Sequence, residues 1–344
     1  MNVEQQVPTV LKSGMPFRIR ISLAIILALT LTVVIGPFLI PAPDLEGTVP
    51  AAQLADEESQ FIELAGLTVH YKTSSRQSVG QGPIFLFLHG FASTLYSWHE
   101  VMDALGQTGW SISLDRPAFG LTERPKGGTW KNSNVYSPRG QVELSVHLLD
   151  ALGVDSAVIV GHSSGGALAT KFALDYPDRI DGLILVGPAI IREGGAPLWT
   201  RPLLFTPQLN RVGPLLMRQL SGTAGSTFVQ SAWSNPSLID DDTIEAYQKG
   251  IKVNNWDRAL WEFTRTNQRL NLFDNLDEIK IPTLVIAGSD DKIVSIEDSE
   301  QVAQAIPGST FEILIGCGHI PQEECANSFI KVVQEWLTGE EKVP

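Results

Sequence analysis

Residues 157–169 read A-V-I-V-G-H-S-S-G-G-A-L-A. Ala157 to Val160 is an apolar, largely β-branched run that meets Gly161, and after His162 and Ser163 the chain passes through Ser164, Gly165 and Gly166 into a helix-forming series. The pattern predicts a strand, a sharp turn and a helix. The turn fits G-x-S-x-G with Ser163 at its tip, where glycines leave no Cβ to crowd the backbone and a serine Oγ can stand clear of the sheet. A Gly-rich connection with an incidental serine would share the pentapeptide. The buried-type strand before it and the helix after it make the nucleophile reading far more specific.

Working outward, similar strand signals recur. Phe61 to Leu64 and Leu67 to Lys72, joined by Ala65-Gly66, predict a hairpin. Ile84 to Leu88, Ile112 to Leu114, Leu183 to Val186, Thr283 to Ala287 and Phe311 to Ile315 are further apolar runs. Unbroken runs of this kind belong to strands buried on both faces of a parallel sheet, with helices between them. The helices expected are Leu95 to Leu105, Arg139 to Leu152, Ile296 to Ala305 and Gln322 to Leu337, and Gly127 to Pro138 reads as a loop. Between the strands at 183–186 and 283–287 lies a long stretch with several prolines and four of the eight tryptophans, Trp199, Trp233, Trp256 and Trp261. It is too long for a loop, so a small helical subdomain over the C-terminal strand ends is expected.

A serine hydroxyl is a weak nucleophile and needs a base, which in turn needs an orienting group. Of the six histidines, His70 sits within a strand, His147 on a helix and His99 at a helix start, while His89 precedes a tight Gly turn. His162 adjoins Ser163, but neighbours on a sharp turn point different ways. His319, in G-C-G-H-I-P directly after the last strand, stands where open α/β sheets place ligands and is the expected base. The acid should fall between Ser163 and His319, and G-S-D-D-K at 288–292 offers Asp290 and Asp291, with Asp291 favoured by its G-x-x-D spacing. Attack on a carbonyl also needs oxyanion donors, and the backbone N–H groups of Phe91 and Ser164 are the expected pair.

Arg116, at the end of a strand, invites two readings: contact with an anionic substrate at the mouth of the site, or a salt bridge to a cap or loop carboxylate. His162, Trp199 and Trp233 are candidate substrate-binding residues, although tryptophans of a helical insertion more often form its own core. Phe205, Phe228 and the Leu215-Leu216-Met217 cluster are further candidates for an apolar pocket wall. The chain shows no metal-ligand spacing such as H-E-x-x-H or C-x-x-C, and neither metal nor cofactor is expected.

The 344 residues carry a net charge of −13, of which residues 1–43 hold +2 and the remainder −15. An acidic body argues against nucleic-acid binding. Cys317 and Cys325 are the only cysteines; pairing is open to them outside the cytoplasm, but two part-buried thiols are the expectation. Ile21 to Ile40 is uncharged and preceded by Lys12, Arg18 and Arg20. Its length suits a bilayer and its basic flank favours a cytoplasmic N-terminus, so a single-pass anchor with an exported body is expected. A signal peptide cleaved near the Ala-rich Val49 to Ala55 is the alternative. Pro41 to Glu58, with prolines and acidic residues, reads as a linker.

The set H-G-F-A-S at 89–93, D-R-P-A-F-G at 115–120, G-H-S-S-G-G at 161–166, G-S-D-D at 288–291 and G-C-G-H-I-P-Q-E-E at 316–324 resembles the α/β-hydrolase superfamily in its capped, H-G-F-bearing branch. The resemblance spans about residues 60–338. It implies an α/β fold with a mostly parallel eight-stranded sheet, helices on both faces and a helical cap. The expected organisation is an N-terminal tail at 1–20, an anchor at 21–40, a linker at 41–59, core at 60–189, cap at 190–276 and core again at 277–344. It implies Ser163 as nucleophile, Asp291 as acid, His319 as base, and Phe91 and Ser164 as oxyanion donors. Haloalkane dehalogenases and epoxide hydrolases carry Asp at the elbow, so Ser163 separates the chain from both. Carbon–carbon bond hydrolases typically show a longer Gly-rich oxyanion loop than H-G-F-A-S-T, so that chemistry is not the expectation. The expected function is a membrane-anchored serine esterase, lipase-like, acting on small-molecule esters with an apolar portion. Cofactor-free haloperoxidase chemistry and a non-catalytic ligand-binding role are the alternatives.

Overall fold

A computed structural model describes residues 17–74, 82–130, 133–195 and 197–339. Lys12 and most of the expected N-terminal tail lie outside the described residues, as do residues 340–344. The chain opens with a long helix, α1 (Phe17–Leu39), none of whose residues is buried. It begins four residues before the expected span and takes in Arg18 and Arg20.

Eight strands follow: β1 (Gln60–Leu64), β2 (Leu67–Thr73), β3 (Ile84–Leu88), β4 (Trp110–Leu114), β5 (Ala157–His162), β6 (Ile180–Val186), β7 (Thr283–Gly288) and β8 (Thr310–Leu314). They form one sheet in the order β1-β2-β4-β3-β5-β6-β7-β8. β1 and β2 pair antiparallel, as do β2 and β4, and every other pairing is parallel. The order reverses between the adjacent strands β3 and β5, which opens a crevice at their C-terminal ends.

Alternate residues of each central strand feed two cores. Leu86, Leu88, Ile159, Leu183 and Leu185 pack with Leu148, Phe172 and Val302 on one face. Phe85, Phe87, Val158, Val160, Ile184 and Val186 pack with Trp98, Val101, Leu105, Phe329 and Val333 on the other. The period-2 alternation of a pleated strand, apolar at every position, is what lets both faces be covered. Among the covering helices are α2 (His99–Gly106), α3 (Pro138–Ala151) and α4 (Ser164–Asp175).

Between β6 and β7 the described chain is helical: α5 (Arg201–Leu204), α6 (Pro207–Leu220), α7 (Thr223–Ser231), α8 (Asp241–Lys249) and α9 (Trp256–Thr266). After β7 come α10 (Ile296–Ala305), α11 (Pro321–Glu324) and α12 (Ala326–Thr338). The single helix expected over 322–337 is thus two, broken at Cys325, whose φ of −132° and ψ of 39° are not helical. Cys325 is disulfide-bonded to Cys317, eight residues earlier, which corrects the expectation of two thiols. The bond links the break in the helix to the loop after β8. Spacing alone left this open because it does not show which way the two Cβ atoms face.

Candidate active site

Ser163 stands between β5 and α4 with φ 54° and ψ −118°, a conformation non-glycine residues adopt only when their surroundings enforce it. The enforcement is explicit. Its N–H donates to the Val186 carbonyl at 2.9 Å, and its carbonyl accepts from Gly166 N at 2.9 Å and Ala189 N at 3.1 Å. A Cβ on Gly161 would lie 2.4 Å from the Gly165 carbonyl oxygen, and one on Gly165 would lie 2.1 Å from that of Leu88, so both flanking glycines are required by contact.

His319, on the loop after β8, is buried at 3% exposure. Its Nδ1 lies 2.7 Å from Asp291 Oδ2. The other oxygen of Asp291 accepts from Ile293 N at 2.8 Å and Val294 N at 2.9 Å, which fixes the carboxylate. Asp290, the alternative acid, meets Ser289 Oγ instead. Ser163 and His319 line one small cavity of about 30 Å³ with Phe91, Ala92, Ser93, His162, Phe228, Val229, Ala232, Tyr247 and Ile320. The phenyl rings of Phe91 and Phe228, 44% and 38% exposed, meet edge to face at 6.1 Å over it. A much larger cavity, about 490 Å³, lies between the linker and α6 and contains neither Ser163 nor His319.

His162 lines the cavity and also braces its wall. Its Nε2 donates to the backbone carbonyl of His319 at 2.8 Å, and burial holds its pKa well below the usual histidine value, so the ring is neutral. The base-bearing loop is held from the cap as well: His319 N donates to the Ala232 carbonyl at 2.7 Å. Glu324 accepts from Gly318 N at 2.6 Å, Ser234 N at 3.0 Å and Asn235 N at 2.9 Å. One carboxylate thereby joins the His319 loop to the helical insertion.

Arg116 fits neither expectation. It is 2% exposed, and its donors go to Gln141 Oε1 at 2.9 Å, to Ser164 Oγ at 3.1 Å and to the His89 carbonyl. None of these is a carboxylate, and the side chain does not reach the cavity lining. Burial brings its guanidinium down to about 9, still a cation at neutral pH. It ties the loop after β3 to the start of α4, the two segments that carry the backbone N–H groups of Phe91 and Ser164. His89 is the other half of this tie. Its Nε2 accepts from Arg116 N at 3.0 Å and its Nδ1 donates to the Gly90 carbonyl at 2.8 Å, a neutral ring whose pKa burial lowers to about 3.

Asp115 is a loop clamp. It accepts from Leu95 N at 2.8 Å, from Leu121 N at 2.7 Å and from His70 Nδ1 at 2.6 Å. Against the desolvation of full burial, His70 and these bonds hold its pKa at about 2. His70 is thus a buried partner of Asp115.

Of the two tryptophans expected at the pocket, Trp199 is 80% exposed and outside it. Trp233 is buried against Ala232 and Ile320, one layer behind the wall. The insertion instead contributes Phe228, Val229, Ala232 and Tyr247. Tyr247 was not singled out by its sequence context. Its hydroxyl donates to Glu323, a buried carboxyl whose pKa desolvation raises to about 8. The only signal in the chain is the doubled acid Glu323-Glu324 just after His319.

Comparison with known proteins follows the same lines. Residues 83–326 match the family model described as alpha/beta hydrolase fold. The chain is 32% identical over 295 residues to 2-hydroxymuconate semialdehyde hydrolase of Pseudomonas putida, covering 82% of this chain and 96% of that protein. In structure it is similar to a thermophilic esterase from Thermogutta terrifontis, with a TM-score of 0.65 at 22% identity over 82% of this chain and 98% of that one. It is also similar to a bacterial membrane phospholipase A, with a TM-score of 0.62 at 19% identity over 94% of this chain and 98% of that one. The last two show a shared fold. With its switch-point crevice, its serine elbow and this match over most of its length, the chain belongs to the α/β-hydrolase fold family and is a hydrolase.

Proposed function

We propose that the chain is a membrane-anchored serine hydrolase of carboxylic esters, and that Ser163 forms an acyl-enzyme. The observation that carries the reading is a strained, half-buried Ser163 that lines the same cavity as a buried His319, whose Nδ1 is fixed by Asp291 at 2.7 Å. With Nδ1–H donated to Asp291, the other ring nitrogen is left to take the Ser163 proton as the hydroxyl attacks the ester carbonyl. The oxyanion is met by the N–H groups of Phe91 and Ser164. His319 then returns the proton to the leaving alkoxide and activates a water that releases the acid, regenerating Ser163.

Three features support an apolar ester. The described lining of the cavity holds aromatic and aliphatic side chains from both the sheet loops and the insertion, which acts as a cap. No lysine or arginine stands among those lining residues. The part-exposed rings of Phe91 and Phe228, which meet edge to face, add an apolar surface for the acyl or alcohol portion.

A second reading is hydrolysis of a 2-hydroxymuconate semialdehyde-like substrate, favoured by the 32% identity to the P. putida enzyme. Such a substrate bears a carboxylate, for which the described cavity wall offers no cation.

The anchor is α1, a 23-residue, largely apolar helix none of whose residues is buried against the body. An exported body agrees with the Cys317–Cys325 disulfide, a bond that persists in oxidising compartments.

Ser163→Ala is expected to abolish turnover of p-nitrophenyl esters and labelling by a fluorophosphonate probe, and undiminished labelling of that variant would refute the assignment. Asp291→Asn is expected to lower kcat about 10³-fold or more, and Asp290→Asn to leave it within about twofold. Turnover of a 2-hydroxymuconate semialdehyde in place of any ester would select the second reading.

A further inference from the structure

The helix α1 does not simply trail from the body. Gln208 Nε2 donates to the Val34 carbonyl at 3.2 Å, Arg211 Nη2 to the Ile40 carbonyl at 3.2 Å and Arg218 Nη1 to the Pro43 carbonyl at 2.8 Å. The partners advance together along both segments, so α6 begins beside the last turns of α1 and leads away from them. At 1.5 Å per residue, the 23 residues of α1 reach about 35 Å against a hydrocarbon core of about 30 Å. Val34 lies five residues before Leu39, about 8 Å from the end of the helix. Val34, with Gln208, therefore lies a few ångströms inside the hydrocarbon, and Ile40, with Arg211, near the level at which it gives way to headgroups.

The corner that leads into Gln208 is apolar and open. Trp199 is 80% exposed, Leu203 57% and Phe205 46%. Single exposed apolar residues are ordinary; three within seven positions at a helical corner are not. Phe205 is held in place from behind by the Arg265 guanidinium, 4.7 Å from its ring centroid. The body as a whole is acidic, with −15 beyond residue 43, but residues 197–220 carry Arg201, Arg211 and Arg218 and no acid, so the apolar corner sits in a locally basic segment, the composition of an interfacial surface.

We propose that the corner Trp199–Phe205 is an interfacial docking surface that dips into the same bilayer α1 crosses, with Trp199 at the headgroup boundary where indole rings collect. The body is thereby held at two points, the span and the corner, which fixes its stance over the lipid. This inference rests on the reading of α1 as a retained span.

The test uses the full chain in phosphatidylcholine vesicles whose acyl chains carry bromine near the headgroup end, with tryptophan emission compared to that in unbrominated vesicles. The other described tryptophans are buried or half-buried in the body. The expected result is bromine-dependent quenching in the wild type that is mostly lost in Trp199→Phe. Equal quenching in both proteins, with the chain still retained through an alkaline carbonate wash, overturns the docking surface and leaves the span standing. A corner packed on a second copy of the chain would give that outcome. A chain that hydrolyses p-nitrophenyl acetate yet washes off the vesicles overturns the span and the docking together, and leaves the ester chemistry untouched.

Discussion

The imidazole of His162 donates from Nε2 to the backbone carbonyl of His319 at 2.8 Å, so the residue beside the candidate nucleophile holds the loop of the candidate base. The two rings lie 4.6 Å apart, and His162, fully buried, keeps a neutral ring. Replacing it leaves the His319 carbonyl without this donor in a buried site. His162→Ala is expected to lower kcat by about tenfold, with KM little changed, and to lower the unfolding free energy by about 1–3 kcal/mol. Steady-state kinetics on a short-chain ester and urea unfolding check the pair of effects. A variant that loses stability alone would show that the bond does not position His319.

Arg116 bridges the His89 carbonyl and Ser164 Oγ through one guanidinium nitrogen, while its Nε bonds Gln141. A lysine keeps the charge but lacks the planar fork that reaches three partners at once. Arg116→Lys is therefore expected to lower kcat about 10²-fold, the order of one displaced oxyanion donor, while binding of a product-like acid is retained. Wild-type kcat in this variant would show that the fork is dispensable.

Glu323 gives a pH dependence with a definite sign. Unfolded, the carboxyl loses its proton near 4.5; folded, desolvation lets it hold the proton to about 8. Between those values the folded state binds more protons than the unfolded one, so stability falls as pH rises through the window and is level again above it. Below about 4.5 both states are protonated and the contribution is fully present. Glu323→Gln, uncharged throughout, is expected to melt at the same temperature as wild type near pH 5 and at a higher one near pH 9, where the buried carboxylate costs stability. Thermal unfolding followed by circular dichroism across that range reads the difference directly, and parallel curves would remove Glu323 as its source. Because Glu323 accepts from the pocket hydroxyl of Tyr247, wild-type activity should also decline above about 8, and the decline should be absent in the variant.

The disulfide closes a short loop that contains His319. Loop-closure entropy for a ring of this size is worth about 2.5 kcal/mol. Cys317→Ser with Cys325→Ser is expected to lower stability by about that amount and to lower kcat severalfold, since the Glu324 clamp still holds Gly318. Chemical denaturation under oxidising and reducing conditions would test this, with the wild type following the double variant only once reduced.

Much of the architecture was legible because its signals are local. Unbroken apolar runs placed the strands within a few residues, and the elbow glycines, the His319 loop after the last strand and the G-x-x-D turn at Asp291 each announced themselves by position. Boundaries slipped where tertiary contact overrides pattern. β4 begins at Trp110 because its first residues pair with β3, and the last helix breaks at Cys325, the residue bonded to Cys317.

The chain by itself determined the fold class and the residue types at the candidate site, since periodicity and turn chemistry act between near neighbours. Only the tertiary structure decided which groups face one another across long separations. It set Arg116 under the elbow rather than at the mouth, brought Tyr247 and Glu323 together, joined Cys317 to Cys325, and left Trp199 exposed rather than in the pocket. These are outcomes of side-chain direction and packing, which spacing along a sequence does not carry, and they shape the Ser163 elbow's surroundings more than the motif does.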